Sequence, residues 1–148
     1  AGDGELASSL HDQAASLGIS GRVCWAGWQQ DIGPLLDMSD VFACPSRQET
    51  LGNIILEAWA HGKPVVSTAT RGALEIMTHE QDGLIVPCAQ PESLASALRD
   101  ILTYDANTLS VIGEAGRSTL LREHGKEHVI EQYLDLYRQL VREVEGDA

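Results

Sequence analysis

The chain has 148 residues, 43% of them hydrophobic and 22% charged, a composition typical of one globular domain with its own core. Its formal net charge of −12 argues against a nucleic-acid-binding protein and against docking on an anionic membrane surface, because both need a basic face. The three cysteines are an odd number and lie in or beside predicted strands, which indicates reduced structural thiols in a cytoplasmic setting. They lack the spacing of a metal site.

The first forty residues predict two helices and one strand. Apolar residues at helical spacing predict a helix over 5–17, and Gly18 ends it. Residues 23–26 predict a short strand followed by a loop. Asp31 is then expected to cap a helix over 32–38.

Residues 40–68 predict a strand, a loop, a helix and a second strand, which is one βαβ crossover. The apolar run 41–45 predicts that the first strand, over 40–44, is buried. The pattern over 51–61 predicts the helix, ended by Gly62 with Pro64 just beyond, and 64–68 predict the second strand.

The start of this central helix predicts an anion site. Backbone N–H groups of Thr50, Leu51, Gly52 and Asn53 lack partners within the helix, and the helix dipole is positive there. Gly52 has no side chain to keep a phosphate away. Glu57 lies among apolar residues of the same helix, so we expect its carboxylate to have a partner, such as a hydroxyl group attached to that phosphate.

The remainder continues the alternation of strands and helices. Helices are predicted over 74–79, 91–102, 108–123 and 126–145, with a strand over 83–87. The alternation predicts an α/β fold, a Rossmann-like parallel sheet of about four strands with helices on both faces. In such sheets ligands gather at the carboxyl ends of the strands, where three predicted loops converge.

Five motifs occur in a fixed order along the chain. They are Gly2-Asp3-Gly4-Glu5, Arg22-Val23-Cys24-Trp25-Ala26-Gly27, the pair Glu49 and Glu57 with seven residues between them, Gly72 to Glu75, and Asp82-Gly83-Leu84-Ile85-Val86-Pro87. Together they resemble the retaining GT-B glycosyltransferases of family 4, the group 1 family. The form of the segment 51–62 is similar to bacterial members that build lipopolysaccharide core.

The resemblance implies that 1–148 is the donor-binding, C-terminal half of a GT-B fold, a partial domain whose N-terminal acceptor domain is absent from this chain. It implies transfer of a sugar from a nucleotide diphosphate sugar to a glycan or lipid-linked acceptor, in cell-surface glycan or lipopolysaccharide synthesis. No cofactor or metal is expected. The whole enzyme is expected to be cytoplasmic, peripheral at the inner face of the membrane.

The resemblance also implies roles for single residues. Glu49 would contact the donor sugar and steady charge at the anomeric carbon, and Glu57 would hold ribose hydroxyls. The N–H groups of 50–53 would cradle the diphosphate, and Arg47 would neutralise it.

Two further loops complete the expected site. Trp28 and Gln29 would lie beside the nucleotide base, and Gly72 would line the site together with Glu75. The family usually has glycine where Arg71 stands, which puts in doubt how closely the backbone approaches a ligand there.

Simpler interpretations remain open at each position. Glu49 fits a capping box with Ser46, Glu57 fits a buried carboxylate satisfied by backbone, and Arg47 fits a solvated loop charge. Trp28 can equally be an exposed or core tryptophan that has no role in ligand binding. For the whole chain the alternative is a non-catalytic nucleotide-binding or interaction module, and a weaker rival is a nucleotide-sugar epimerase, whose acid–base residues are not found here.

Overall fold

A computed structural model of the protein describes residues 1–146. The chain divides into two compact units, Ala1–Asp37 and Met38–Ala148. Each unit is described by itself below. That 1–148 form one partial domain of a larger enzyme stays a prediction.

The first unit contains helix α1 (Ala7–Ser16), a single 3-10 turn over Ser20–Arg22, and the start of helix α2 (Gly33–Met38). Both helices were predicted. The carboxylate of Asp31 accepts a hydrogen bond from the Gly33 N–H at 2.9 Å, which confirms that Asp31 satisfies a backbone donor at the start of α2.

The strand predicted over 23–26 is wrong. Residues 23–29 have no assigned secondary structure, although Val23 has extended dihedral angles of φ −111° and ψ 121°. Residues with high β propensity favour an extended backbone. A strand also requires a neighbouring strand for its backbone hydrogen bonds. Trp25 is 42% exposed and stacks on His11 with ring centroids 4.0 Å apart, so the segment packs partly against α1.

The second unit alternates strands and helices before ending in three consecutive helices. Its elements are β1 (Phe42–Cys44), α3 (Asn53–Ala60), β2 (Val65–Thr68), α4 (Arg71–Ile76), β3 (Leu84–Val86), α5 (Pro91–Ile101), α6 (Ala106–Glu123) and α7 (Lys126–Gly146).

The three strands form one parallel sheet in the order β1-β2-β3. Phe42 pairs with Val65, and Val66 pairs with Leu84. All four residues of β2 are buried, and because successive side chains point to opposite faces, both faces of the central strand are covered. The α/β fold with a parallel sheet is confirmed, with three strands in the described chain rather than about four.

Helix α3 ends where the sequence predicted. Gly62 has φ +63°, a conformation that glycine adopts without the steric cost of a side chain. Its N–H donates to the Trp59 carbonyl at 2.9 Å, and the Lys63 N–H donates to the Ala58 carbonyl at 3.0 Å. These two bonds form a Schellman motif, which directs the chain from α3 into β2.

Helix α6 packs closely on α3 through glycines. A methyl group at Gly116 would lie 2.2 Å from the indole ring of Trp59, and one at Gly113 would lie 1.9 Å from the Gly62 carbonyl oxygen. Trp59 is fully buried. The sequence pattern gave no signal of this contact, because glycine is unfavourable in a helix interior unless packing requires it.

Asp82 joins the loop before β3 to α6. Its side chain is 4% exposed and accepts hydrogen bonds from the Thr78 N–H at 2.8 Å and the Thr119 hydroxyl at 3.2 Å. The Trp59 indole N–H donates to the Asp82 backbone carbonyl at 3.1 Å. Burial raises the pKa of the Asp82 carboxyl above its ordinary value, since desolvation disfavours the charged form.

Helix α7 carries large apolar side chains that are exposed to solvent. Its exposed large apolar residues are Ile130, Tyr133, Leu134, Leu136, Tyr137, Leu140 and Val141. None of the helices within the described residues 1–146 is both long enough and apolar enough to cross a membrane.

Candidate functional site

A cleft of about 350 Å³ opens at the carboxyl ends of all three strands. Residues 47–50 line it after β1, residues 69–71 line it after β2, and Cys88 lines it after β3. This is the edge at which open α/β sheets bind ligands. Arg47, Glu49, Thr50 and the loop before Gly72 therefore come together as the sequence predicted.

Two hydrogen bonds to backbone carbonyls of the loop after β1 hold it against the segment that follows β2. The Gly72 N–H donates to the Glu49 carbonyl at 2.8 Å. The Thr68 hydroxyl, at the end of β2, donates to the Ser46 carbonyl at 2.5 Å. The loop after β1 is thus fixed at two points to the segment that follows it in the sheet.

Two buried glycines allow this close approach. A methyl group at Gly72 would lie 2.6 Å from the Gly52 backbone nitrogen, closer than real side chains come. Gly52 has φ +66°, and a methyl group there would lie 2.7 Å from the Ile76 side chain. The space beside Gly52 is filled by Ile76 and Gly72, so packing within the chain accounts for a glycine at position 52.

Glu49 lies in the loop and not in the helix. Gly52 is the N-cap of α3, so Ser46 and Glu49 stand outside the helix and cannot form the capping box that was the simpler alternative. Glu49 is half-buried beside the cleft. Within the described chain no side chain caps the start of α3. The backbone N–H of Asn53 is therefore left for solvent or a ligand.

Glu57 is exposed, although the apolar residues around it in the sequence led us to expect a carboxylate that needs a partner. Ile55, Ala58 and Trp59 form the buried face of the helix, and Asn53 and Glu57 lie on the exposed one. Glu57 therefore needs no protein partner. It stands one helical turn from Asn53, on the same side of α3 as the uncapped helix start.

The cleft contains two arginines. Arg47 is exposed, and Arg71 occupies the first position of α4, with its Nε donating to the Glu75 carboxylate at 2.9 Å. The hydrogen bond to Glu75 raises the pKa of Arg71 further above its ordinary value, so the guanidinium stays charged. The carboxylate of Glu75 is therefore paired with Arg71.

Trp28 and Gln29 belong to the first unit. Trp28 is 66% exposed, and the Gln29 side-chain amide donates to the Ala26 carbonyl. Their role beside a nucleotide base stays a prediction.

Sequence reasoning missed two residues of this region. Cys88 lines the cleft, although the sequence had assigned it only as a reduced thiol beside a strand. Thr70 caps α4 by accepting from the Ala73 N–H at 3.3 Å. A threonine two residues after the end of a strand and directly before a helix was a usable signal for that cap.

Solved proteins with this fold are GT-B glycosyltransferases. The HepE protein of Anabaena, solved in complex with UDP-glucose, is similar to 90% of this chain and 39% of its own, with a TM-score of 0.77 and 27% identity. The fold and the cleft at its strand ends therefore define an α/β domain of the GT-B glycosyltransferase class.

The family model for glycosyl transferases group 1 matches residues 1–104, and the chain belongs to this family. Two relatives come from Rhizobium meliloti and are both lipopolysaccharide core biosynthesis glycosyltransferases. LpsE is 42% identical over 135 residues, which are 91% of this chain, and LpsD is 34% identical over 136 residues, which are 92% of it. The resemblance to the group 1 family is confirmed.

The chain spans 39% of the length of each of these two relatives. The activity of a whole enzyme, its substrates and its partners therefore go beyond this chain and are treated as proposals.

Proposed function

We propose that the chain is the donor-binding half of a retaining glycosyltransferase that moves a sugar from a nucleotide diphosphate sugar to an acceptor. The observation on which this rests is the cleft at the strand ends, where Glu49 and Arg47 stand just before the uncapped start of α3. The acceptor proposed is a growing cell-surface glycan or lipopolysaccharide, because the relatives named above act in lipopolysaccharide core synthesis.

In this proposal the diphosphate lies at the start of α3. The N–H groups of residues 50–53 donate to its oxygens, and the Arg47 guanidinium neutralises its charge. The exposed carboxylate of Glu57 accepts hydrogen bonds from ribose hydroxyls, one turn further along the same face. Trp28 and Gln29 approach the base.

Glu49 is proposed to contact the donor sugar and stabilise positive charge that develops at the anomeric carbon. The reaction takes place on one face of the sugar, and the departing phosphate oxygen helps to deprotonate the acceptor hydroxyl. Positioning and electrostatic stabilisation then supply the catalysis, with no metal ion and no side-chain general base. The enzyme is proposed to work in the cytoplasm, at the inner face of the membrane.

The test is a titration of the chain with UDP, GDP and ADP, followed by NMR or calorimetry. We expect one nucleotide to bind saturably and Glu57→Ala to weaken it by about tenfold or more, the loss typical of hydrogen bonds to a charged group. Glu92→Ala, an exposed glutamate in the first turn of α5, is the matched control and should bind as the parent does.

The variant Glu49→Gln distinguishes binding of the donor sugar from binding of the nucleotide. It should leave the affinity for the free nucleoside diphosphate unchanged and weaken the sugar conjugate. Failure of all three nucleotides to bind would contradict the proposal and favour a non-catalytic interaction module.

A further inference from the structure

The second arginine of the cleft is poorly explained by its local structure. Arg71 stands at the first position of α4, the positive end of the helix dipole, where a cation is unfavourable. Its pair with Glu75 is exposed, at 82% for the arginine side chain and 53% for the glutamate, and such pairs contribute little to stability.

The position of Arg71 in the cleft is well defined. The neighbouring Gly72 N–H donates to the Glu49 carbonyl at 2.8 Å, which holds the Arg71 backbone beside the residue proposed to contact the donor sugar. Arg47 lines the same cleft. Two of the ten lysine and arginine residues of a chain with net charge −12 thus meet at one small site.

Arg71 already binds a carboxylate. Its Nε donates to Glu75 Oε1 at 2.9 Å, a charge-assisted hydrogen bond of the kind that guanidinium groups make with carboxylates. Because both partners are exposed, a ligand carboxylate can replace Glu75 at small cost.

We propose that Arg71 is a specificity-determining residue that selects a donor whose sugar bears a carboxylate, a nucleotide diphosphate hexuronate. This rests on the proposed function and names its substrate class. In the proposed function Arg47 and the backbone N–H groups contact the diphosphate, and Arg71 is assigned to a further negative charge on the sugar. The cation at Arg71 also offsets the repulsion between a uronate and Glu49.

The experiment compares donors that differ only in this carboxylate. The base is the one that binds in the titration described above, and with uridine the series is UDP, UDP-glucose and UDP-glucuronate. We expect the parent chain to bind UDP-glucuronate about tenfold more tightly than UDP-glucose. Arg71→Ala should abolish this preference and leave the affinities for UDP and UDP-glucose unchanged.

Three further variants complete the test. Arg99→Ala removes the same charge from the exposed face of α5 and should retain the preference. Arg71→Lys keeps the positive charge but lacks the planar guanidinium group, and it should retain part of the preference for UDP-glucuronate. Glu75→Gln releases Arg71 and should strengthen the preference.

Two results would overturn the inference while the proposed function stands. One is equal affinity of the parent for both sugars. The other is an equal loss of all three ligands in Arg71→Ala, which would assign the arginine to the diphosphate. If no nucleotide binds in any variant, the proposed function itself fails.

Discussion

The carboxyl of Asp82 gives the protein a pH dependence at the scale of a single residue. Burial raises its pKa, so the folded chain holds the proton more tightly than the unfolded chain does. The resulting stability is fully present below the unfolded pKa of about 3.9 and is lost as the pH rises through the higher, folded-state pKa. At neutral pH the buried carboxylate therefore costs stability.

Asp82→Asn removes this titration and keeps the hydrogen bonds, because the amide oxygen can still accept from Thr78 and the amide N–H can donate to the Thr119 hydroxyl. We expect the variant to gain free energy of unfolding relative to the parent as the pH rises from 3 to 7, about 1.4 kcal/mol for each unit by which the pKa is raised. Urea unfolding at a series of pH values measures this gain.

Asp105 is the matched control for Asp82. It caps α6 by accepting from the Thr108 N–H at 2.7 Å, and this bond lowers the pKa of its carboxyl. Its contribution to stability is present above the unfolded pKa and is lost as the pH falls through the folded-state pKa. Asp105→Asn should therefore show the opposite pH trend, and the same trend in both variants would contradict the assignment.

At the scale of elements, the contact between α3 and α6 depends on glycine. Gly113→Ala should lower the free energy of unfolding by about 1–3 kcal/mol, because the added methyl group would meet the Gly62 carbonyl oxygen at 1.9 Å. The expected loss opposes the gain of roughly 1 kcal/mol by which alanine favours a helix interior over glycine. Gly21→Ala has open space around the new methyl group and is the control. Equal unfolding free energies for the two variants would contradict the close contact.

How far the sequence predicted these elements depends on the range of the forces involved. The end of α3 at Gly62 was predictable because the Schellman motif uses only neighbouring residues. The absence of a strand over 23–26 was not predictable, because a strand depends on a partner elsewhere in the chain.

The candidate site divides in the same way. The meeting of the loops after β1 and β2 at one edge was predicted, because the carboxyl ends of parallel strands lie at the same edge of a sheet. The exposure of Glu57 was not, because α3 is apolar on several sides and only tertiary packing decides that Ile55, Ala58 and Trp59 face inward. The packing of Gly52 on Gly72 joins residues twenty positions apart and left no periodic signal.

At the scale of the whole molecule, we expect this chain to bind a donor without transferring its sugar to an acceptor. It spans 39% of the length of its LpsE relative, and the family resemblance assigns the acceptor to another domain. We expect no sugar transfer when the 148 residues are incubated with a labelled nucleotide sugar and a lipopolysaccharide acceptor. Transfer at a typical enzymatic rate, about 1 s⁻¹ or more, would contradict this.

The bond between Gly72 and Glu49 restricts how this cleft can diversify. Because the loops after β1 and β2 are joined backbone to backbone, an insertion or deletion in either one would separate them and deform the site. Single substitutions at positions 47, 71 and 88 change the side chains that line the cleft and leave the loop lengths constant. Side-chain replacement, and not loop exchange, is therefore the route by which the cleft of this chain can be engineered.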